Sequence, residues 1–139
     1  MSRELLVGID IVPIANIADS LKEFGDRFLF RIFTDQEIAY CRSRAAPAAL
    51  ESFAARFAAK EAVIKALDAA DCGLDWRTIE VVRGSNGACT LRLNGAADDR
   101  ARAAGCARLE LSMSHAGEYA VALVVGFGRG RTEHERTDT

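Results

Sequence analysis

The stretch Glu51 to Asp68, ESFAARFAAKEAVIKALD, decides how the rest of the chain is read. Its 18 residues predict a helix of about five turns, at about 3.6 residues per turn. The stretch is rich in Ala and straight-chain residues and holds no Gly or Pro, all of which favour a helix. Phe53, Phe57, Ile64 and Leu67 form an apolar stripe, and Lys60 takes the position that would complete it. At about 100° per residue, Lys60 lies roughly 20° from Phe53 and within about 60° of Phe57 and Ile64. An ammonium inside a core-facing stripe breaks the local pattern, and such breaks tend to mark functional sites.

Two readings of this cluster stand side by side. In the first, Glu61 and Lys65 are an exposed i,i+4 pair worth about 0.2–0.5 kcal/mol, and Lys60 snorkels from the edge of the stripe. In the second, Arg56, Lys60, Lys65 and Glu61 line one helix beside an apolar wall. Cations hold phosphate oxygens and a carboxylate is a hard ligand for Mg²⁺, so this set suits a ligand with several phosphates and a divalent metal.

Composition bounds the rest. The 139 residues, half of them hydrophobic and 27% charged, are enough for one soluble globular unit with a core. We expect a single domain over residues 1–128 and a polar, disordered tail over 129–139. The net charge of −2 gives no basic excess, so bulk nucleic-acid binding is not expected. No apolar run reaches membrane-spanning length, and the first residues lack a signal-peptide layout. Cys41, Cys72, Cys89 and Cys106 show no CxxC pairing and only two His are present, which argues against a zinc site. Reduced, mostly buried thiols in a cytoplasm fit better than a disulfide framework.

Ahead of the helix, residues 4–12 read as a strand with both faces mostly apolar, hence buried and central. Asp10 sits in it between Gly8 and Val12. A lone carboxylate there costs several kcal/mol (about 1–3 or more) unless compensated, so it either caps the following turn or binds a metal. Pro13 ends the strand, and Ile14, Ile17, Leu21 and Phe24 mark a helix over 14–24 that Gly25 stops. Residues 26–33, if helical, put Arg27 and Arg31 on one face, as a solvated edge or as a docking patch for an acidic partner. Thr34-Asp35-Gln36-Glu37 is a capping box opening a helix to about Ser43. After the long helix, 78–83 and 88–93 read as strands joined by Gly84-Ser85-Asn86-Gly87, a hairpin signal. A short helix runs from Asn94–Gly95 to Gly105, and 107–114 and 118–127 form a second hairpin with a turn at His115–Gly117. His115 reads either as a locally bonded surface residue or as a donor to a phosphate oxygen. The pattern predicts an α+β fold, a mostly antiparallel sheet packed against the long central helix. Gly-rich phosphate loops and nucleophile-elbow signatures are absent.

With GIDIV, FTDQE, ARFAAKEAVIKAL and SMSHAGEYAVALVV in view, residues 5–127 resemble the small, single-module branch of the 4'-phosphopantetheinyl transferase superfamily, the holo-[acyl-carrier-protein] synthases. The paired motifs, G-[IV]-D near the start and K-E-[AS]-x-x-x-K on a long helix, carry the resemblance. It implies that fold and a reaction: the 4'-phosphopantetheine arm of coenzyme A moves to a serine of apo acyl carrier protein, releasing adenosine 3',5'-bisphosphate, with Mg²⁺ required. It also implies roles. Asp10 and Glu61 look like the Mg²⁺ ligands, and Lys65 looks like the contact to the phosphate under attack. Arg56, Lys60 and His115 look like further phosphate or coenzyme A contacts. Arg27 and Arg31 look like the patch that receives the acidic carrier protein. The resemblance further implies a homotrimer with active sites at subunit interfaces. Two acceptors for the serine proton stay open, a metal-ordered water or a carboxylate such as Glu61. The loop Ala45-Ala46-Pro47-Ala48-Ala49 lacks the cations the family often has there, and Arg42 and Arg44 are the candidates to replace them. Two other functions use the same residues: a Mg²⁺-dependent phosphate-ester or nucleotide hydrolase, and a non-catalytic member that only docks a carrier protein. The sequence does not choose between a fatty-acid and a polyketide carrier.

Overall fold

The long helix runs Ala48–Ala66 (α4), starting three residues before its expected first residue and ending two before its expected last. Pro47 precedes it, and a proline's fixed φ suits a helix start. Asp68, with φ +52°, takes the left-handed conformation and stops it. These features come from a computed structural model that describes residues 4–129. The expected tail, Arg129 apart, lies outside the described residues.

α4 is enclosed on most of its circumference rather than along one stripe. Phe53, Ile64 and Leu67 are buried as expected, but so are Ala54, Ala58, Ala59, Ala62, Val63 and Ala66. The alanines allow a sheet to lie close along the helix. That sheet has the order β1-β5-β4 and is antiparallel throughout, with β1 at Leu5–Pro13, β4 at Cys106–Ala116 and β5 at Tyr119–Gly128. Its inner face presents Leu6, Val12, Ala120, Ala122 and Val124 to α4. At Gly8 the approach is closest: a Cβ there would sit 1.9 Å from the Ala62 carbonyl oxygen, so only glycine fits.

β1 corrects one expectation. It is an edge strand, not a central one. Its outer residues Leu5, Val7, Ile9 and Ile11 are 55–61% exposed. The chain covers one of the two apolar faces of this strand and leaves the other exposed.

The remaining elements pack around the same helix. α1 (Ile14–Phe24) ends at Gly25, whose φ of +59° turns the chain into α2 (Asp26–Ile32). α3 (Asp35–Arg42) opens with the expected capping box: Thr34 Oγ1 accepts from the Glu37 N–H at 3.2 Å, and Glu37 Oε1 accepts from the Thr34 N–H at 2.8 Å. A 3-10 turn (Trp76–Thr78) leads into the hairpin β2 (Ile79–Arg83) and β3 (Cys89–Leu93), and α5 (Gly95–Ala103) follows. No helix among the described residues is long and apolar enough to cross a membrane. All four cysteines are free; Cys41 and Cys106 are buried, Cys89 is partly buried and Cys72 is exposed, so the expectation of mostly buried thiols holds for two.

Lys60 is the structural centre of this assembly. Its side chain and that of Glu37 are both fully buried, with Nζ 2.8 Å from Glu37 Oε1. Lys60 also donates to the carbonyls of Trp76, at 3.1 Å, and Ile79, and its ammonium lies 5.7 Å from the Phe33 ring centre. Glu37 Oε2 accepts from the Val81 N–H at 2.8 Å. One ion pair therefore ties α3, α4, the 3-10 turn and β2 together. Burial pulls the ammonium below the ordinary lysine range, and Glu37 pulls it back up. Removing one partner strands a buried charge, which typically costs about 3–5 kcal/mol. Lys60→Met is expected to lose a stability of about that size by urea denaturation, with part of it regained when Glu37→Leu is added. A Lys60→Met protein as stable as the parent would show that the pair does not carry this junction.

Candidate active site

β1 and α4 bring Asp10, Glu61 and Lys65 to one end of the molecule. Asp10 is in register with Ala122 on the sheet face that packs on α4, so strand parity aims it at the helix. The turn-capping alternative is not realised: the helix after Pro13 has no side-chain cap. Lys65 Nζ donates to Asp10 Oδ1 at 3.1 Å and to the Ile9 carbonyl at 2.9 Å. Lys65 thus turns to Asp10 and not to Glu61, against the simple i,i+4 reading. Glu61 is half-buried and takes no ion-pair partner among the described residues. Burial raises its carboxyl above the ordinary glutamate range, the Asp10 charge raises it further, and Lys65 partly offsets both. Two neighbouring carboxylates with one cation between them leave a deficit of positive charge.

This donor set fits a hard divalent cation. Mg²⁺ is commonly held by one or two carboxylates together with water and substrate phosphates, rather than by a full protein cage. No group of three potential metal-ligating side chains gathers among the described residues, so a Mg²⁺ here would take protein ligands from Asp10 and Glu61.

A second polar cluster lies at the other half of α4. Glu51, Ser52 and Arg56 from α4, Tyr40 and Arg44 from the α3 end, Arg83 and Cys89 from the hairpin, and His115 from β4 line a cavity of about 170 Å³. Arg56 is 4% exposed. Its Nη1 donates to the Ser52 carbonyl at 3.4 Å, while its Nε, also buried, has no partner. His115 is not in the turn, which falls at Gly117–Glu118, but in the last residues of β4. Its Nδ1 lies 2.9 Å from Glu51 Oε2.

The two clusters do not share a cavity. Arg56 and Glu61 are five residues apart, which puts them about 140° apart around the helix. Lys60 joins neither cluster. The expectation that it contacts phosphate is corrected, because it is sealed in the Glu37 pair. Arg42 is paired with Asp26 at 2.6 Å and does not line the cavity, whereas Arg44 does. Tyr40, Glu51 and Arg83 are cavity residues that periodicity and motif did not single out.

A third surface lies on α2. Arg27 and Arg31, one turn apart, line a groove of about 440 Å³ with Phe24, Phe28 and Ile32. Both arginines are exposed and neither has an ion-pair partner among the described residues.

This fold and paired-carboxylate site place the chain in a known class: the family profile described as the 4'-phosphopantetheinyl transferase superfamily matches residues 6–124, and the chain belongs to that family. Its similarities fall among the holo-[acyl-carrier-protein] synthases. The protein of that name from Koribacter versatilis is 49% identical over 119 residues, covering 85% of this chain and 94% of the relative. Among solved structures, the Helicobacter pylori holo-[acyl-carrier-protein] synthase in complex with coenzyme A is 31% identical with a TM-score of 0.75, covering 87% of this chain and 99% of that one. An ACPS–CoA complex from Chronobacterium ammoniagenes is 29% identical with a TM-score of 0.78, covering 92% and 100%.

The raised Glu61 carboxyl has a measurable sign. A carboxyl whose pKa is higher folded than unfolded stabilises the fold when protonated, and that stabilisation is lost as pH rises through the folded value. Glu61→Gln removes the cost of the charged form. In metal-free buffer with EDTA it is expected to be more stable than the parent at pH 7, with the gain fading as pH falls below the ordinary glutamate value of about 4.3. Thermal unfolding at both pH values measures this, and a gain independent of pH would contradict the assigned environment.

Proposed function

We propose that this chain carries out the reaction of its family, moving the 4'-phosphopantetheine arm of coenzyme A onto a serine of apo acyl carrier protein. The serine oxygen forms a bond to the phosphorus that bears the pantetheine. The P–O bond within the pyrophosphate breaks, adenosine 3',5'-bisphosphate leaves, and the serine proton is released. The observation that carries the reading is the Asp10–Lys65 pair beside the perturbed Glu61, in a chain similar over most of its length to coenzyme A-bound synthases.

Phosphoryl transfer depends on positioning and charge neutralisation more than on covalent help from the protein. Asp10 and Glu61 are the proposed Mg²⁺ ligands, and the metal would neutralise charge on the pyrophosphate oxygens. Lys65 is held by Asp10 and the Ile9 carbonyl with its ammonium half-exposed, placed to contact the phosphate under attack. Arg56 and His115 are the proposed contacts to the other charged parts of coenzyme A. Arg27 and Arg31, unpaired beside exposed apolar residues, form the proposed docking groove for an acidic helical carrier. A cytoplasmic setting suits the four free thiols.

We further infer a homotrimer with each site completed between two copies. One support is the outer face of β1 and β5, where Leu5, Val7, Ile9, Ile11, Tyr119 and Leu123 are exposed together. The other is the separation of the carboxylate cluster from the arginine cavity, which at about 170 Å³ is one wall rather than a full site; ligand pockets run to roughly 300–1,000 Å³. A contact joining two different surfaces closes into a ring when repeated by rotation, and the resemblance gives three copies.

Intact-mass analysis of apo acyl carrier protein with this protein, coenzyme A and Mg²⁺ tests the reaction. One phosphopantetheine is expected to be gained, and lost with EDTA or in Glu61→Ala, while Arg31→Glu raises KM for the carrier. Transfer by Glu61→Ala at the parent rate would remove the metal assignment, and hydrolysis of coenzyme A without a carrier would replace the reaction. For the shared site, Glu61→Ala and Arg56→Ala are each expected to be inactive alone. Co-expressed in mixed assemblies, they recover about a quarter of parental activity, because each interface then has an even chance of each intact half. No recovery from assemblies shown by mass to be mixed would mean that each copy works alone.

A further inference from the structure

Cys89 lies among guanidinium groups. It pairs with Arg83 across the β2–β3 hairpin, and directly opposed residues of an antiparallel pair share a face. Both line the cavity with Arg44 and Arg56. Arg56 Nη2 donates to Cys89 Sγ at 4.0 Å. The carbons of Arg56, Arg83 and Arg44 lie 4.6, 5.3 and 5.8 Å from the centre of the Tyr40 ring, so the three cations are gathered in one place. Among the described residues none of the three has a carboxylate partner, and the one carboxylate lining the cavity, Glu51, is taken by His115. Arg56 is 4% exposed, and its Nε has no partner. A thiol sulfur accepts only weakly, so Cys89 as it stands does not satisfy these donors. A sulfur bearing a charged oxygen would, because guanidinium forks bind oxyanions.

The other three thiols lack this setting. Cys41 is sealed in the core, and burial pushes its thiol up to about 11. Burial also raises the Cys106 thiol. Cys72 is exposed, but it follows Asp68 and Asp71 in an acidic stretch. Oxidation proceeds through the thiolate and follows its access to the oxidant. We propose that Cys89 is the peroxide-sensitive thiol of this chain, and that its oxidised form takes the Arg56 and Arg83 donors and closes the cavity. The co-reactant is hydrogen peroxide, which a cavity of about 170 Å³ admits. The Cys89 sulfur attacks one peroxide oxygen, an S–O bond forms and the O–O bond breaks. The departing hydroxide takes the thiol proton and leaves as water. Sulfur loses two electrons to become a sulfenic acid, and peroxide is reduced. A second peroxide carries the sulfur to the sulfinate, whose two oxygens suit a guanidinium fork. Arg56 is also a proposed coenzyme A contact, so the loss of activity on oxidation rests on the transferase reading. The oxidation itself does not.

The test reads labelling and activity separately. The full chain is treated with hydrogen peroxide and dimedone, which traps sulfenic acids, and the labelled cysteines are mapped by peptide mass. Cys89 is expected to be trapped at least about tenfold faster than the more exposed Cys72, the scale of one hydrogen bond to a charged group. In urea this selectivity disappears. Arg83→Ala, shown to be folded by circular dichroism, slows the labelling of Cys89 by a similar factor. For closure, each protein is compared with its own untreated activity. The parent loses transfer after brief peroxide treatment and regains it with a thiol reductant, whereas Cys89→Ser keeps its starting activity. Labelling of Cys72 as fast as Cys89, or unchanged labelling of Cys89 in folded Arg83→Ala, overturns the site. Equal inactivation of the parent and Cys89→Ser overturns the closure and puts the damage elsewhere, as at Met113. Selective labelling of Cys89 in a protein that modifies no carrier supports the site and sinks the transferase reading instead.

Discussion

Enclosure of α4 is the constraint on which everything else depends. A helix covered by a sheet on one side and by α1, α3 and a hairpin on others leaves its charged side chains little access to water, so each must be compensated locally. Lys60 is compensated in full by Glu37 and two carbonyls. Lys65 emerges at the C-terminal end and is held by Asp10. Arg56 is compensated only in part, by an aromatic face and a distant carbonyl, and keeps an unpartnered Nε. Glu61 is half-buried beside a like charge. The two incompletely compensated groups are the two that a polyanionic substrate with a metal would complete.

The same constraint bears on assembly. Arg56 and Glu61 project about 140° apart around one helix, and the cavity that Arg56 lines does not include Glu61. The outer face of β1 and β5 is apolar at the residues that alternate with those facing the helix, in Val7 and Ile9 as in Leu123. On the same face β4 presents Arg108, Glu110, Ser112 and Ser114. The apolar patch is therefore bounded by a polar strand.

Local signals were legible in the sequence wherever the physics is local. The Thr34–Glu37 capping box, the Gly25 stop, the Asn86–Gly87 hairpin and the long Ala-rich helix each depend on residues a few positions apart, and each appears. Asp10, Glu61 and Lys65 were legible as a set because the paired motifs named them, and the structure brings them together. What failed required knowledge of what covers what. β1 has the composition of a central strand, and nothing in its own residues says whether its second cover comes from this chain or another. Glu37 announces itself as a cap, and no local rule reveals that its carboxylate also receives Lys60 and the Val81 N–H. Tyr40 looks like any helix tyrosine until β2 and α4 deliver two more arginines to its ring.

Lys60 and Lys65 show why the spacing of charges on a helix cannot assign their work. Both are lysines on one helix, five residues apart, in the run KEAVIK. The motif and the apolar stripe made both look like candidates for phosphate. Lys60 faces the junction of α3, the 3-10 turn and β2, where burial leaves room for one carboxylate and no ligand. Lys65 faces the end of β1, where the strand turns toward α1 and solvent reaches the ammonium. A buried cation spends its donors on the protein, whereas a half-exposed one keeps some for a substrate. The difference lies in the cover each side chain receives, so the apolar stripe that singled out Lys60 was a true signal with the opposite meaning: an ammonium in that position is functional only in the sense that the fold is closed around it.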